Sequence, residues 1–184
     1  MIRCGLRLDA VKEFSKNNVF LCGFMATGKS SVGKRLAELM QYTFLDIDTV
    51  IETETGMSIP EIFDRRGEAA FRSMEADLVG RLAQRSGCVV ATGGGTIANP
   101  KNLDTLKNCG TVITLTANPR TILSRVGSGE DRPMLAGDNK TERIAQLMEQ
   151  RAQAYSQSDF TVDTSSRSID EVAQYIYTTL KNRP

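Results

Sequence analysis

The chain of 184 residues contains no histidine and no tryptophan, and only four cysteines and five prolines. Without an imidazole, every mechanism that needs a histidine base is excluded, Ser-His-Asp hydrolysis among them. Cys4, Cys22, Cys88 and Cys109 lie far apart and form no C-x-x-C pair. With no histidine to join them they make no zinc pattern, and they read as reduced, mostly buried small hydrophobes. No apolar run is long enough to cross a bilayer, and the charged start, with Arg3, Arg7, Asp9 and Lys12, is not that of a signal peptide. A formal charge of +1 without long like-charge runs excludes a polyanion-binding stripe, so neither nucleic acid nor a membrane is an expected partner. A soluble chain in a reducing compartment is the default, and the length suits one compact domain.

What is present is organised around residues 23–30, Gly-Phe-Met-Ala-Thr-Gly-Lys-Ser. The apolar run Val19, Phe20, Leu21, Cys22 precedes it, and Val32, Leu36, Leu39 and Met40 follow at helical spacing. A glycine-rich loop between strand and helix is a phosphate-binding loop: its backbone N–H groups turn inward and the helix N-terminus adds its dipole. Gly23, Ala26, Thr27, Gly28, Lys29, Ser30 and Ser31 are therefore the expected nucleotide-binding residues, with Lys29 reaching the β- and γ-phosphates and Ser30 offering its hydroxyl to Mg²⁺.

Strand and helix alternate along the rest of the chain. Strands are expected near 43–45, 88–91, 110–115 and 160–163, and helices near 49–54, 99–107, 119–126, 139–155 and 169–180. Ser58, Pro60 and Glu61 mark a helix start, and a longer helix with Phe71, Met74, Leu78 and Leu82 on its apolar face is expected from near Gly67. In the last helix Ile169, Val172, Ile176 and Leu180 share one side. This pattern predicts an α/β fold, a three-layer sandwich with a central parallel five-stranded sheet and functional residues at the carboxyl ends of the strands. Residues 1–17 read as an N-terminal extension, 18–184 as one domain, and the glycine-bounded stretch 127–137 as a mobile loop.

Three pieces should meet at one sheet edge: the phosphate loop, Asp46-Ile47-Asp48, and Gly93-Gly94-Gly95. Aspartates two apart on an extended segment face opposite ways, which places Asp46 on the metal side through water and Asp48 on an acceptor hydroxyl. Alternatively, either one caps the following helix. Three glycines admit a ligand close to the backbone, where a plain turn needs one. Arg151 lies beside the apolar face formed by Ile144, Leu147, Met148 and Tyr155, so its cation needs an anion, internal or bound. Arg72 is flanked by Glu68 and Glu75, which leaves surface ion pairs and substrate binding equally open. Arg132, central in the 127–137 stretch, is either a solvated residue or a cation brought to the transferring phosphoryl group. Asp64-Arg65-Arg66-Gly67 matches a GTPase D-x-x-G element only by chance, since no N-K-x-D accompanies it.

These motifs in this order resemble the shikimate kinases: residues 23–30, Phe-Leu-Asp-Ile-Asp, Gly-Glu-Ala-Ala-Phe-Arg, Thr-Gly-Gly-Gly, Arg-Pro-Met-Leu, Arg-Ala-Gln-Ala-Tyr and Val-Asp-Thr. The resemblance implies MgATP-dependent phosphorylation of the 3-hydroxyl of shikimate, on the path to chorismate and the aromatic amino acids. It also implies a monomeric cytoplasmic enzyme with the nucleoside-monophosphate-kinase type of P-loop fold. By the same resemblance Asp48 holds substrate hydroxyls, Arg72 and Arg151 hold the carboxylate, Gly93, Gly94 and Gly95 line that pocket, Arg132 belongs to the lid, and Arg125 and Arg167 lie beside the adenine. Ala26 departs from the glycine common at its position. A gluconate kinase and a non-catalytic nucleotide-binding regulator are the alternatives.

Overall fold

The computed structural model describes residues 18–126 and 140–183. Residues 1–17 and the expected lid, with Arg132, lie outside them.

Five parallel strands run in the order β2-β3-β1-β4-β5, where β1 is Asn18–Gly23, β2 Thr43–Asp46, β3 Cys88–Ala91, β4 Gly110–Thr116 and β5 Phe160–Asp163. Among the described residues seven α-helices accompany the strands: α1 Lys29–Met40, α2 Ile47–Thr55, α3 Ile59–Leu82, α4 Pro100–Cys109, α5 Pro119–Val126, α6 Lys140–Tyr155 and α7 Ile169–Asn182. The two-residue period of a strand divides the core between two faces. Phe20, Cys22, Val90 and Val112 pack with α2, α3 and α4, whereas Val19, Leu21, Ile113 and Leu115 pack with α1 and α7. All of β1 is buried, as a central parallel strand must be. A third cluster joins Phe24 and Met25 of the phosphate loop to Ile122 of α5 and to Ile144 and Leu147 of α6. The buried side chain of Asn18 donates to Arg85 O at 2.8 Å and accepts from Cys88 N at 3.1 Å, which fixes where β1 begins relative to β3.

Most element expectations match. Ser58 and Glu61 form the capping box at the start of α3, and α3 is kinked at Gly67, whose φ of 79° is non-helical, where a new helix was expected. Two differ. The helix after β2 begins at Ile47 because the Asp46 side chain accepts from Asp48 N and caps it, so Asp48 stands in a first helical turn and not on an extended segment. Ile169 is 49% exposed, since as the first residue of α7 it lies beyond the sheet that buries Val172 and Ile176.

Candidate active site

The phosphate loop leaves the carboxyl end of β1 at the centre of the sheet. Gly23 has φ 134°, and a Cβ there would collide with the carbonyl oxygen of Leu115 on β4. Its glycine is thus required by strand packing as well as by the loop's curl. Gly28 caps α1. Between them Thr27 is buried and turns its hydroxyl inward, donating to Phe24 O at 2.8 Å. Lys29 folds back across the loop and donates from Nζ to Gly23 O at 3.0 Å and Phe24 O at 2.9 Å. Ser30 Oγ donates to Asp46 Oδ2 at 2.6 Å, so the hydroxyl and carboxylate expected to share a cation are already together. An oxygen pair of this kind suits Mg²⁺. Among the described residues no group of three or more His, Cys, Asp or Glu could hold a metal alone. A cation here would therefore be completed by phosphate and water oxygens. Asp46 both caps α2 and meets Ser30, one oxygen for each task.

A cleft of about 940 Å³ runs from Lys29, Ser30 and Ser31 past Asp46 and Asp48 to Arg72, Arg151 and the three glycines. Each glycine is approached by a different functional side chain. A Cβ on Gly93 would lie 2.5 Å from Glu75 Oε1 and 3.2 Å from Asp48 Oδ1. On Gly94 it would lie 3.1 Å from Arg151 Nη1, and on Gly95 2.9 Å from both terminal nitrogens of Arg72. The absent side chains thus let two carboxylates and two guanidinium groups close on the same loop, which a plain turn does not explain.

Arg72 pairs with exposed Glu68 at 3.0 Å and with Glu75 at 2.5 Å, and the Glu75 side chain is only 1% exposed. The surface-pair reading therefore holds for Glu68 alone. Burial disfavours the Arg72 charge, yet the Glu75 carboxylate, helped by Glu68, outweighs it and raises the pKa above the ordinary arginine value. Glu75 also accepts from Thr96 Oγ1. Arg151 forms no ion pair among the described residues, and its guanidinium lies 5.7 Å from the ring centroid of Phe24. Beside it, Tyr155 Oη donates to Gly94 O at 2.6 Å. Burial, opposed by Arg151, pushes that phenol up to about 12, so it remains a donor at neutral pH.

Arg125 borders the cleft and bonds Ala26 O and Thr164. Arg167 does not line the cleft; its guanidinium sits 5.0 Å from the Tyr175 ring centroid.

The sequence model described as Shikimate kinase matches residues 25–181. The chain belongs to the shikimate kinase family. It is 40% identical to a shikimate kinase of Caldanaerobacter subterraneus subsp. tengcongensis, covering 90% of this chain and 99% of that one. It is 45% identical to that of Geobacter sulfurreducens, covering 88% and 89%. Among solved structures, shikimate kinase from Acinetobacter baumannii in complex with shikimate superposes with a TM-score of 0.88 at 35% identity, covering 92% of this chain and 96% of that one. A gluconokinase from Sinorhizobium meliloti, at 17% identity and a TM-score of 0.59, shares the fold alone.

In this shikimate kinase family member the residues that sequence reasoning missed are Glu75, Thr96, Tyr155 and Thr164. Glu75 carried a signal. It lies on the stripe of Phe71, Leu78 and Leu82, where the buried position is Glu75 and not Met74. An acid on an apolar stripe needs a cation, and Arg72 one turn earlier was the candidate. Thr96 carried none, and the Val-Asp-Thr motif that ends in Thr164 did not show its partners, which are distant in sequence.

Proposed function

We propose that the chain transfers the γ-phosphoryl group of ATP to the 3-hydroxyl of shikimate, giving shikimate 3-phosphate and ADP. The observation that carries this reading is the closure of Asp48, Arg72 and Arg151 on three consecutive glycines at the far end of a cleft that begins in a phosphate loop. Two planar cations suit a carboxylate, and an aspartate suits hydroxyls, so the acceptor end is built for a small hydroxy acid. Arg151 and Arg72 hold the carboxylate. Asp48 orients the acceptor hydroxyl and receives its proton as the oxygen attacks, while Lys29 and the loop amides neutralise charge on the β- and γ-phosphates. Ser30 and Asp46 would hold Mg²⁺, which supplies further charge neutralisation when bound with nucleotide. Catalysis of this kind is positioning plus electrostatics, which explains how a histidine-free chain can perform it. The thiols of Cys22, Cys88 and Cys109 are free, which suits a cytoplasmic enzyme, and a monomer is complete for this scheme.

The test is ADP release from MgATP with and without acceptor. Release that depends on shikimate is expected, with gluconate inert. Turnover with gluconate alone would retain the kinase and discard the acceptor assignment, and none with either would favour a nucleotide-binding regulator. Arg151→Ala is expected to raise the KM for shikimate roughly 30-fold or more, with the KM for ATP within about twofold, because it pairs with no carboxylate among the described residues and the acceptor's carboxylate is its proposed partner. Steady-state kinetics with each substrate varied in turn checks this, and equal loss for both would make Arg151 structural.

A further inference from the structure

Thr164 is only 3% exposed although it stands just past β5, at the end of the sheet. All its polar atoms are used. Its amide donates to Thr116 O at 2.8 Å. Its hydroxyl lies 3.0 Å from both Thr27 O and Thr116 O, between which its single proton is shared. The same hydroxyl accepts from Arg125 Nη1 at 3.1 Å, and the Thr164 carbonyl accepts from Arg125 Nη2 at 2.7 Å. Arg125 Nη1 also reaches Ala26 O at 3.2 Å. Two successive carbonyls of the phosphate loop are in this way tied to the ends of β4 and β5.

The loop needs such a tie at this point. Ala26 has φ 60°, in the left-handed region that a residue with a Cβ enters only when its surroundings hold it there. Gln41, the other described non-glycine residue with positive φ, is the C-cap of α1, where the turn itself imposes that conformation. Ala26 has no helix end to impose it. Its own carbonyl and that of the next residue are the atoms that Arg125 and Thr164 grip.

We propose that Thr164 is a positioning residue of the nucleotide site: with Arg125 it clamps residue 26 in the left-handed conformation and so presets the phosphate cradle before nucleotide arrives. The clamp rests on the nucleotide-binding reading of the loop and adds to it a residue from the opposite end of the chain. Thr164 acts through the loop backbone and needs no contact with the nucleotide itself.

The discriminating experiment is titration calorimetry of the full chain with MgADP and, separately, with shikimate, for the wild type, Thr164→Val, Thr164→Ser, Ala26→Gly and the Thr164→Val/Ala26→Gly double variant. Thr164→Val keeps the shape and removes the hydroxyl. It is expected to weaken MgADP binding about tenfold, with shikimate within about twofold and Thr164→Ser near wild type. In the Ala26→Gly background the same change is expected to cost about threefold or less, because glycine occupies the left-handed region unaided. A tenfold loss in both backgrounds, an equal loss for both ligands, or no loss would overturn the clamp. If Thr164→Val does not fold, Arg125→Met on the exposed side of α5 takes its place. Rescue by Ala26→Gly then supports the clamp, and a loss that Ala26→Gly leaves unchanged overturns it. A wild type that bound no MgADP would overturn the kinase reading itself, a result distinct from any of these.

Discussion

Replacing Lys29 by alanine is expected to lower kcat about 10³-fold while leaving the fold intact. The two halves of this expectation come from different parts of the structure. The loss of rate follows from the proposed role of the ammonium, which folds across the phosphate loop at 3.0 Å and 2.9 Å from the carbonyls of Gly23 and Phe24 and would there meet developing phosphoryl charge. The survival of the fold follows from what those bonds leave behind. Lys29 is only partly buried, so water can reach the carbonyls when the side chain is gone, and the adjoining β1 is held by its own pairing to β3 and β4. Single-turnover kinetics beside thermal unfolding separates the two. A kcat near the wild-type value would remove the loop from the mechanism, and loss of folding would make Lys29 a structural residue.

Glu75→Ala is expected to act on stability and on one substrate together. The carboxylate joins Arg72 of the same helix to Thr96 beyond the glycine run, and it is 0% exposed as a residue. Removing it leaves a hydroxyl without its acceptor, a guanidinium without its buried partner, and a void beside Gly93. Breaking a fully buried pair costs about 3–5 kcal/mol, and because Arg72 keeps some solvent and retains Glu68, about 2–3 kcal/mol is expected here. For a domain of this size that lowers Tm by roughly 5–10 °C. The KM for shikimate is expected to rise at least about tenfold, because Arg72 is no longer held against Gly95, while the KM for ATP stays within about twofold. Calorimetric unfolding and two-substrate kinetics measure both. An unchanged Tm, or equal effects on the two substrates, would show that Glu75 does not organise the acceptor end.

The features readable in the sequence are those whose causes are local. The phosphate loop, the Ser58–Glu61 capping box and the β-branched strand β4 each depend on a few neighbouring residues, and their positions match. Asp46 and Asp48 were readable as residues but not as geometry. The helix start that separates their roles is set by a hydrogen bond within the pair, and the alternative that one caps the helix and the reading that one meets Ser30 both hold for Asp46. Arg72 was left open between a surface pair and a site residue because the two glutamates look alike in sequence and differ only in burial. Glu75 is covered and Glu68 is not. The Thr96 and Thr164 contacts were illegible for a different reason. They cross 21 and as many as 137 residues of chain, and a threonine after a strand gives no hint of which distant carbonyl or carboxylate it will meet.

Cys22 makes the central strand a sealed chemical clock. Its thiol is fully enclosed beneath the phosphate loop, and burial, against the Thr92 hydrogen bond and the Lys29 charge, pushes it up to about 12, so neither access nor ionisation permits alkylation while the sheet stays closed. Each labelling event at Cys22 therefore registers one opening of the central strand. The partly exposed Cys109, at the end of α4, marks time at its own rate.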